Sequence, residues 1–188
     1  MSRDLVVVGA SWGGLHAVSA LLDSIPHDVD VPIVLAQHRA PESERAGLEA
    51  LLRRHTHLEV REAEDKERLR RGVLYVAPPD YHLLVERDGL ALSTDARVQY
   101  ARPSVDVLFE SAADAYGERT IGIVLTGANA DGAAGLRAIK EVGGVAIVQD
   151  PETAAARTMP DAALRATTPD AVLPVAEIGP LLRELCAT

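Results

Sequence analysis

The chain has 188 residues, 47% of them hydrophobic and 25% charged. That is the size and balance of one globular domain, so a single domain over residues 1–188 is expected and intrinsic disorder is excluded as the main state. Its 28 acidic residues against 19 basic ones leave a net charge of −9, which argues against nonspecific binding to nucleic acid or to anionic membranes. No apolar run reaches the roughly 18 residues of a spanning helix, no signal-peptide pattern opens the chain, and Cys186 as the single cysteine excludes an internal disulfide. A cytoplasmic protein without membrane insertion is the expectation.

The predicted elements alternate. A β-branched run at 6–8 is followed by helical spacing at 15–22, with Leu15, Val18, Leu21 and Leu22 on one face. A second strand is predicted at 31–37, with Pro32 near its start, and a second helix from Pro41 through 42–54, with Leu48, Leu51 and Leu52 on one face. Short strands at 58–60, 73–77, 82–86 and 90–93 then read as a β-rich insertion or edge, and Asp88-Gly89 signals a hairpin. Arginines at 53, 54, 68, 70 and 71 lie among Glu59, Glu62, Glu64, Asp65 and Glu67 and read as a solvated mixed-charge surface. Ser104 precedes a helix to Tyr116 that stops at Gly117. A strand at 121–125, a helix at 131–142, a strand at 145–148, and a last strand and helix at 171–174 and 178–185 complete the pattern. The expected fold is α/β, doubly wound and Rossmann-like: a mostly parallel sheet with helices on both faces and a β-hairpin insertion.

In open α/β sheets, ligands bind at the carboxyl ends of strands. Three polar residues stand there: Ser11 after the first strand, His38 after the second, and Asp131 after the strand at 121–125. Gly9-x-Ser11-x-Gly13 fits a nucleophile elbow, in which a sharp strand-to-helix turn exposes a serine hydroxyl. The same turn lacks the Lys of a Walker loop and has Ser11 where a Rossmann fingerprint needs glycine. His38 is a structural histidine or a general base, and Asp131 is an orienting acid or the N-cap of the helix that follows it. His55-x-His57 has no recognisable zinc spacing, and Cys186 reads as an incidental thiol.

Several blocks then resemble, in order and in spacing, the catalytic domain of the chemotaxis protein-glutamate methylesterases, the CheB type. They are Val8-Gly9-Ala10-Ser11-x-Gly13-Gly14, Gln37-His38, Glu62-Ala63-Glu64-Asp65 leading to Tyr75-x-Ala77-Pro78, and Arg102-Pro103-Ser104-Val105-Asp106-Val107-Leu108-Phe109. Leu125-Thr126-Gly127 with Asp131-Gly132, Gln149-Asp150 and Met159-Pro160 complete the set. The resemblance implies a Ser–His–Asp esterase that removes methyl groups from glutamate methyl esters on the cytoplasmic helices of methyl-accepting chemoreceptors, or on a related methylated protein. It also implies deamidation of particular receptor glutamines. Carried over, Ser11 is the nucleophile, His38 the general base and acid, and Asp131 the residue orienting the imidazole. Backbone N–H groups of Trp12 and Ala128 are the candidate oxyanion donors, and no metal or organic cofactor is implied.

Three positions depart from the family pattern. Trp12 replaces a small residue after the nucleophile, the acid loop reads Gly127-Ala128-Asn129-Ala130-Asp131 in place of Gly-Met-Gly-Asn-Asp, and Thr158 replaces a common glycine. Usual members carry an N-terminal phospho-acceptor receiver domain. This chain starts its first strand near Asp4, so the expectation is a catalytic domain without its own receiver, stand-alone or excised. An esterase of the same fold acting on another substrate, and a non-catalytic signalling module, are the competing readings. Arg102 is left between a substrate contact at the cleft rim and a structural salt bridge.

Overall fold

Residues 3–39 and 45–187 are described by the computed structural model. The chain runs β1 (Leu5–Ala10), α1 (Gly14–Ser24), β2 (Ile33–Gln37), α2 (Arg45–Leu52), β3 (Glu59–Glu62), β4 (Val73–Val76), β5 (His82–Glu86) and β6 (Gly89–Ser93). It continues through α3 (Val105–Tyr116), β7 (Thr120–Val124), α4 (Ala133–Glu141), β8 (Val145–Gln149), α5 (Thr158–Ala166), β9 (Ala171–Leu173) and α6 (Val175–Cys186). Seven strands form one parallel sheet in the order β3-β4-β2-β1-β7-β8-β9, and β5 and β6 form a separate antiparallel pair.

Every residue of β1, β2, β4, β7 and β8 is buried, as expected of central parallel strands covered on both faces. Alternation along each strand divides two cores. Val6, Val8, Ile33, Leu35, Leu74 and Ile123 face one way and pack with residues of α1 and α6 and with Leu52. Leu5, Val7, Val34, Tyr75, Val124 and Val148 face the other way, toward α3, α4, α5 and the hairpin. On that second side Val105, Leu108, Phe109 and Ala112 make a fully buried stripe along α3 at helical spacing. Each large side chain of that kind stabilises by roughly 1.5–3 kcal/mol. Tyr75 is buried as well, and its hydroxyl is satisfied by donating to the Arg68 carbonyl and accepting from the Arg70 N–H.

The doubly wound reading of the sequence is what the sheet shows, with three differences. Of the two readings left open for the middle segments, β3 and β4 take the edge of the main sheet and only β5–β6 stands apart as an insertion. The hairpin turn falls on Arg87 and Asp88, because Glu86 pairs with Gly89. Gly89 is needed for close approach, since a Cβ there would collide with the Glu67 carbonyl, which accepts the Leu90 N–H. The second helix is seen from Arg45 and continues as a 3-10 turn over Arg53–His55; its expected start at Pro41 and Glu42 lies outside the described residues. Helix α5 was not expected at all, because Pro160 interrupts the pattern and much of its buried face is alanine, Ala162 and Ala163.

No helix among the described residues is long and apolar enough to cross a membrane. Cys186 ends α6 half-buried against the first core, and burial pushes its thiol up to about 11. Because only the thiolate is nucleophilic, Cys186 is expected to react with Ellman's reagent at pH 8 about 100-fold more slowly than an ordinary cysteine. The rate should climb about tenfold per pH unit toward pH 11. A rate at pH 8 equal to that of free cysteine would show the thiol to be exposed.

Candidate active site

The chain leaves β1 in one direction, through α1 to β2, and returns on the other side of β1 as β7. A crevice at that reversal, beyond the carboxyl ends of the strands, is where open α/β sheets place their ligands. Register decides which residues meet there. Ala10 pairs with Gln37 and the His38 N–H donates to the Ala10 carbonyl, so His38 and Ser11 are next in line on adjacent strands. The Ser11 N–H donates to the Thr126 carbonyl, which joins the serine turn to the loop after β7. Ser11, Trp12, His38 and Ala128 line a single cleft of about 740 Å³.

The serine turn is held by its carbonyls. The Ser11 carbonyl accepts from Gly14 N at 2.8 Å and from Gln37 Nε2 at 3.0 Å. Thr126 Oγ1 bonds the Trp12 carbonyl at 2.9 Å, and Gln149 Oε1 in turn accepts the Thr126 N–H. Gly13 takes φ 74°, a left-handed conformation that glycine adopts without strain, and the chain turns there into α1. Gly127 lies so close to the serine turn that a Cβ on it would come within 2.9 Å of Ser11 Cβ. With the carbonyls tied inward, the N–H groups of Trp12 and Ala128 donate to no protein group among the described residues.

Asp131 is completely buried and accepts four hydrogen bonds. Oδ2 receives His38 Nε2 at 2.7 Å and Val105 N at 2.7 Å; Oδ1 receives Ser104 Oγ at 2.8 Å and Asp106 N at 2.9 Å. Burial works against its charged form, yet the His38 bond and the N–H groups of Asp106 and Val105 outweigh it and hold the carboxyl below the usual carboxylate range. An ionised carboxylate only accepts, so His38 Nε2 donates to it, and in the neutral ring that places the lone pair on Nδ1. Asp131 is therefore not the N-cap of its own helix. Gly132 occupies that position in α4 with no side-chain cap, and Asp131 instead satisfies the first N–H groups of α3.

The favour is returned. Asp106, in the first turn of α3, accepts from Gly132 N at 2.9 Å and Gly135 N at 2.7 Å at the start of α4. Its carboxyl is shifted upward by burial, against the pull of the Gly135 N–H and with the Asp131 charge adding to the rise.

A second serine and histidine also converge on Asp131. Ser104 donates to it, and the Ser104 N–H donates to His82 Nδ1 at 3.2 Å, while His82 Nε2 lies 3.0 Å from the Ala96 carbonyl. This Ser104–His82–Asp131 arrangement is sealed: Ser104 is 0% and His82 1% exposed. The Ser104 hydroxyl gives its proton to the carboxylate, not to an imidazole, and also caps Val107 N. It braces Asp131 from behind, while His38, on the solvent side, opens to the cleft. The sequence offered Ser104 only as a helix start and His82 only as a hairpin opener. Asp106, Gln37, Thr126 and Gln149 carried no local signal beyond their place in the quoted blocks.

Of the other candidates, Arg102 is structural. Its Nε and Nη2 bond Asp80 Oδ1 at 3.1 and 2.8 Å, and Nη1 reaches the Thr94 and Asp95 carbonyls. His55 pairs with Asp23 and His57 rests against His27, with no group of three metal-ligating side chains among the described residues. Trp12 is exposed at the cleft mouth.

A parallel α/β sheet whose reversal point carries a serine turn and a histidine on a buried aspartate has the make-up of a Ser–His–Asp hydrolase. The chain belongs to the CheB methylesterase family, whose model matches residues 6–182. It is 33% identical to the Thermotoga maritima CheB methylesterase catalytic domain, a crystal structure that superimposes with a TM-score of 0.93 over 98% of this chain and 100% of that one. A Leptospira interrogans protein provisionally named protein-glutamate methylesterase/protein-glutamine glutaminase is 44% identical over 98% of this chain and 96% of its own length. An Anaeromyxobacter dehalogenans protein-glutamate methylesterase/protein-glutamine glutaminase is also 44% identical, and there the match spans 53% of the relative.

Removing the Asp131 carboxylate strands Ser104 Oγ, Val105 N and Asp106 N in the interior. Asp131→Ala is expected to cost about 3 kcal/mol or more of stability at pH 7, read by urea unfolding. The folded value of Asp131 lies below its ordinary 3.8. Its charge-dependent contribution is therefore complete above that pH and fades as pH falls through the folded value. The gap between wild type and Asp131→Ala should narrow on acidification below about pH 4; a gap that widens would refute the assignment.

Proposed function

We propose that the chain is a serine esterase that acts as one catalytic domain. It hydrolyses glutamate γ-methyl esters on the helices of chemoreceptor-type proteins to glutamate and methanol. The reading rests above all on His38: a ring only 13% exposed, fixed at 2.7 Å on a fully buried carboxylate, lines the cleft that also holds Ser11.

In this mechanism Ser11 Oγ attacks the ester carbonyl carbon and its proton passes to His38 Nδ1, the nitrogen that Asp131 leaves with a lone pair. Asp131 keeps the ring in that tautomer and stabilises the imidazolium. The oxyanion of the tetrahedral intermediate is met by the backbone N–H groups of Trp12 and Ala128, which have no competing acceptor among the described residues. Collapse breaks the C–O bond, and the imidazolium proton leaves with methanol. Water, deprotonated by the same nitrogen, then attacks the glutamyl ester of Ser11, the C–O bond to Ser11 breaks, and the serine recovers its proton. Deamidation of a glutamine follows the same acyl path, with ammonia in place of methanol. A cytoplasmic location fits this substrate class.

The test is methanol release from methylated chemoreceptor cytoplasmic fragments. Ser11→Ala is expected to abolish release while its unfolding transition stays within about 0.5 kcal/mol of wild type. Asp131→Asn, assayed on material shown to be folded, is expected to lose about 10⁴-fold in kcat, as in other triads. Wild-type turnover by Ser11→Ala, or a loss under tenfold in Asp131→Asn, would overturn the assignment of these residues.

A further inference from the structure

On the far side of His38 from the serine turn, the surface holds a second cavity of about 300 Å³. It is lined by His38, Arg39, Arg97, Tyr100, Arg102 and Asn129, among other residues, and none of the described residues that line it is acidic. Three guanidiniums around one small cavity run against the balance of a chain with net charge −9. They are not equivalent. Arg102 has its bonds to Asp80, Thr94 and Asp95, and Arg39 bonds Glu62 and the Ala77 carbonyl. Arg97 makes one longer contact, 3.3 Å, to the same Asp80 oxygen that Arg102 already bonds twice, and its side chain is half-exposed. One shared oxygen cannot neutralise two guanidiniums, so a unit of positive charge is left facing the cavity.

The rim of the cavity is built to stay in place. Gln99 and Tyr100 both take positive φ, 47° and 65°, in a tight turn closed by the Val98–Ala101 bridge. Two consecutive non-glycine residues in that conformation are strained, and such strain persists where it holds a functional geometry. Gln99 Nε2 anchors the turn by donating to Asp106 Oδ2 at 3.0 Å, which leaves Tyr100, 96% exposed, standing over the opening.

We propose that this cavity is a carboxylate subsite. Arg97 pairs with the side chain of an acidic residue that flanks the ester undergoing hydrolysis, and Tyr100 packs over the same stretch of substrate. A strongly acidic protein repels an acidic substrate at long range, so a local cation beside His38 is what admits and orients one. The inference rests on the esterase reading of Ser11 and His38 and assigns the substrate class for that site: peptide in which the esterified glutamate has acidic neighbours.

The test uses two synthetic peptides containing one glutamate γ-methyl ester, flanked by glutamates in one and by glutamines in the other. The quantity read is the ratio of kcat/KM, acidic over neutral, from methanol release. Wild type is expected to favour the acidic peptide about two- to fivefold at low salt, with the preference shrinking as ionic strength rises. Arg97→Gln should bring the ratio close to one, and Arg97→Glu should invert it. Ratios unchanged in both variants would overturn the subsite. In parallel, binding of both peptides to Ser11→Ala is measured by calorimetry, with and without Arg97→Glu. Loss of the acidic preference in binding, with no methanol released by the parent enzyme, would keep the subsite and reject the esterase; methanol release with equal binding and turnover of the two peptides would do the reverse.

Discussion

The site depends on an exchange of carboxylates between two helix starts. Asp131, just ahead of α4, accepts the first N–H groups of α3, and Asp106, in the first turn of α3, accepts N–H groups at the start of α4. Helix N-termini carry unsatisfied donors and a partial positive charge. Each aspartate therefore satisfies a neighbour's donors and gains an environment for its own charge. The two helices are tied at the end that faces the cleft. That tie delivers a buried, ionised, immobile carboxylate to His38.

With Asp131 saturated on three sides by Ser104, Val105 and Asp106, one direction remains, and the imidazole fills it. Ring orientation and tautomer follow from that geometry. The buried Ser104–His82 pair belongs to the same construction: a serine and a histidine that support the acid from the interior, closed to any substrate. On the opposite flank, Gln37 and Thr126 hold the Ser11 and Trp12 carbonyls, Gln149 fixes Thr126, and the Trp12 N–H is left without a protein acceptor among the described residues.

The distribution of charge follows a similar division between bulk and site. Several arginines pair with carboxylates at the surface, including Arg53 with Glu49, Arg70 with Glu59 and Arg157 with Asp161, pairs that contribute little to stability. Around the cavity beyond His38, Arg97 and Arg102 share one acidic partner, Asp80, while Arg39 pairs with Glu62. The acidic surface and the basic pocket thus act at different ranges, the first across the whole molecule and the second within a few ångströms of the imidazole.

The alternation of apolar runs and glycine turns was enough to place the strands and most helices. Fully buried parallel strands are apolar on both faces, and strand ends mark where a site forms. Ser11, His38 and Asp131 were legible as residues just past strands, and the spacing of the quoted blocks pointed to the family. Helix α5 was not legible, because a helix that buries alanines and carries Pro160 has little periodic signal. Whether β3 and β4 join the edge of the main sheet or an insertion stayed open for a different reason: a strand's neighbours are chosen by burial of both faces, which no local pattern encodes. Asp131 shows the limit most clearly. Its sequence position favours a cap on the helix that follows, and local propensity has no means of seeing that α3, 25 residues earlier in the case of Asp106, offers unpaired donors at the same spot. The sequence by itself determined the fold class and set Ser11, His38 and Asp131 just past strand ends. The tertiary structure decided which donors meet which acceptors, because hydrogen bonds between distant segments depend on packing that only the folded chain provides.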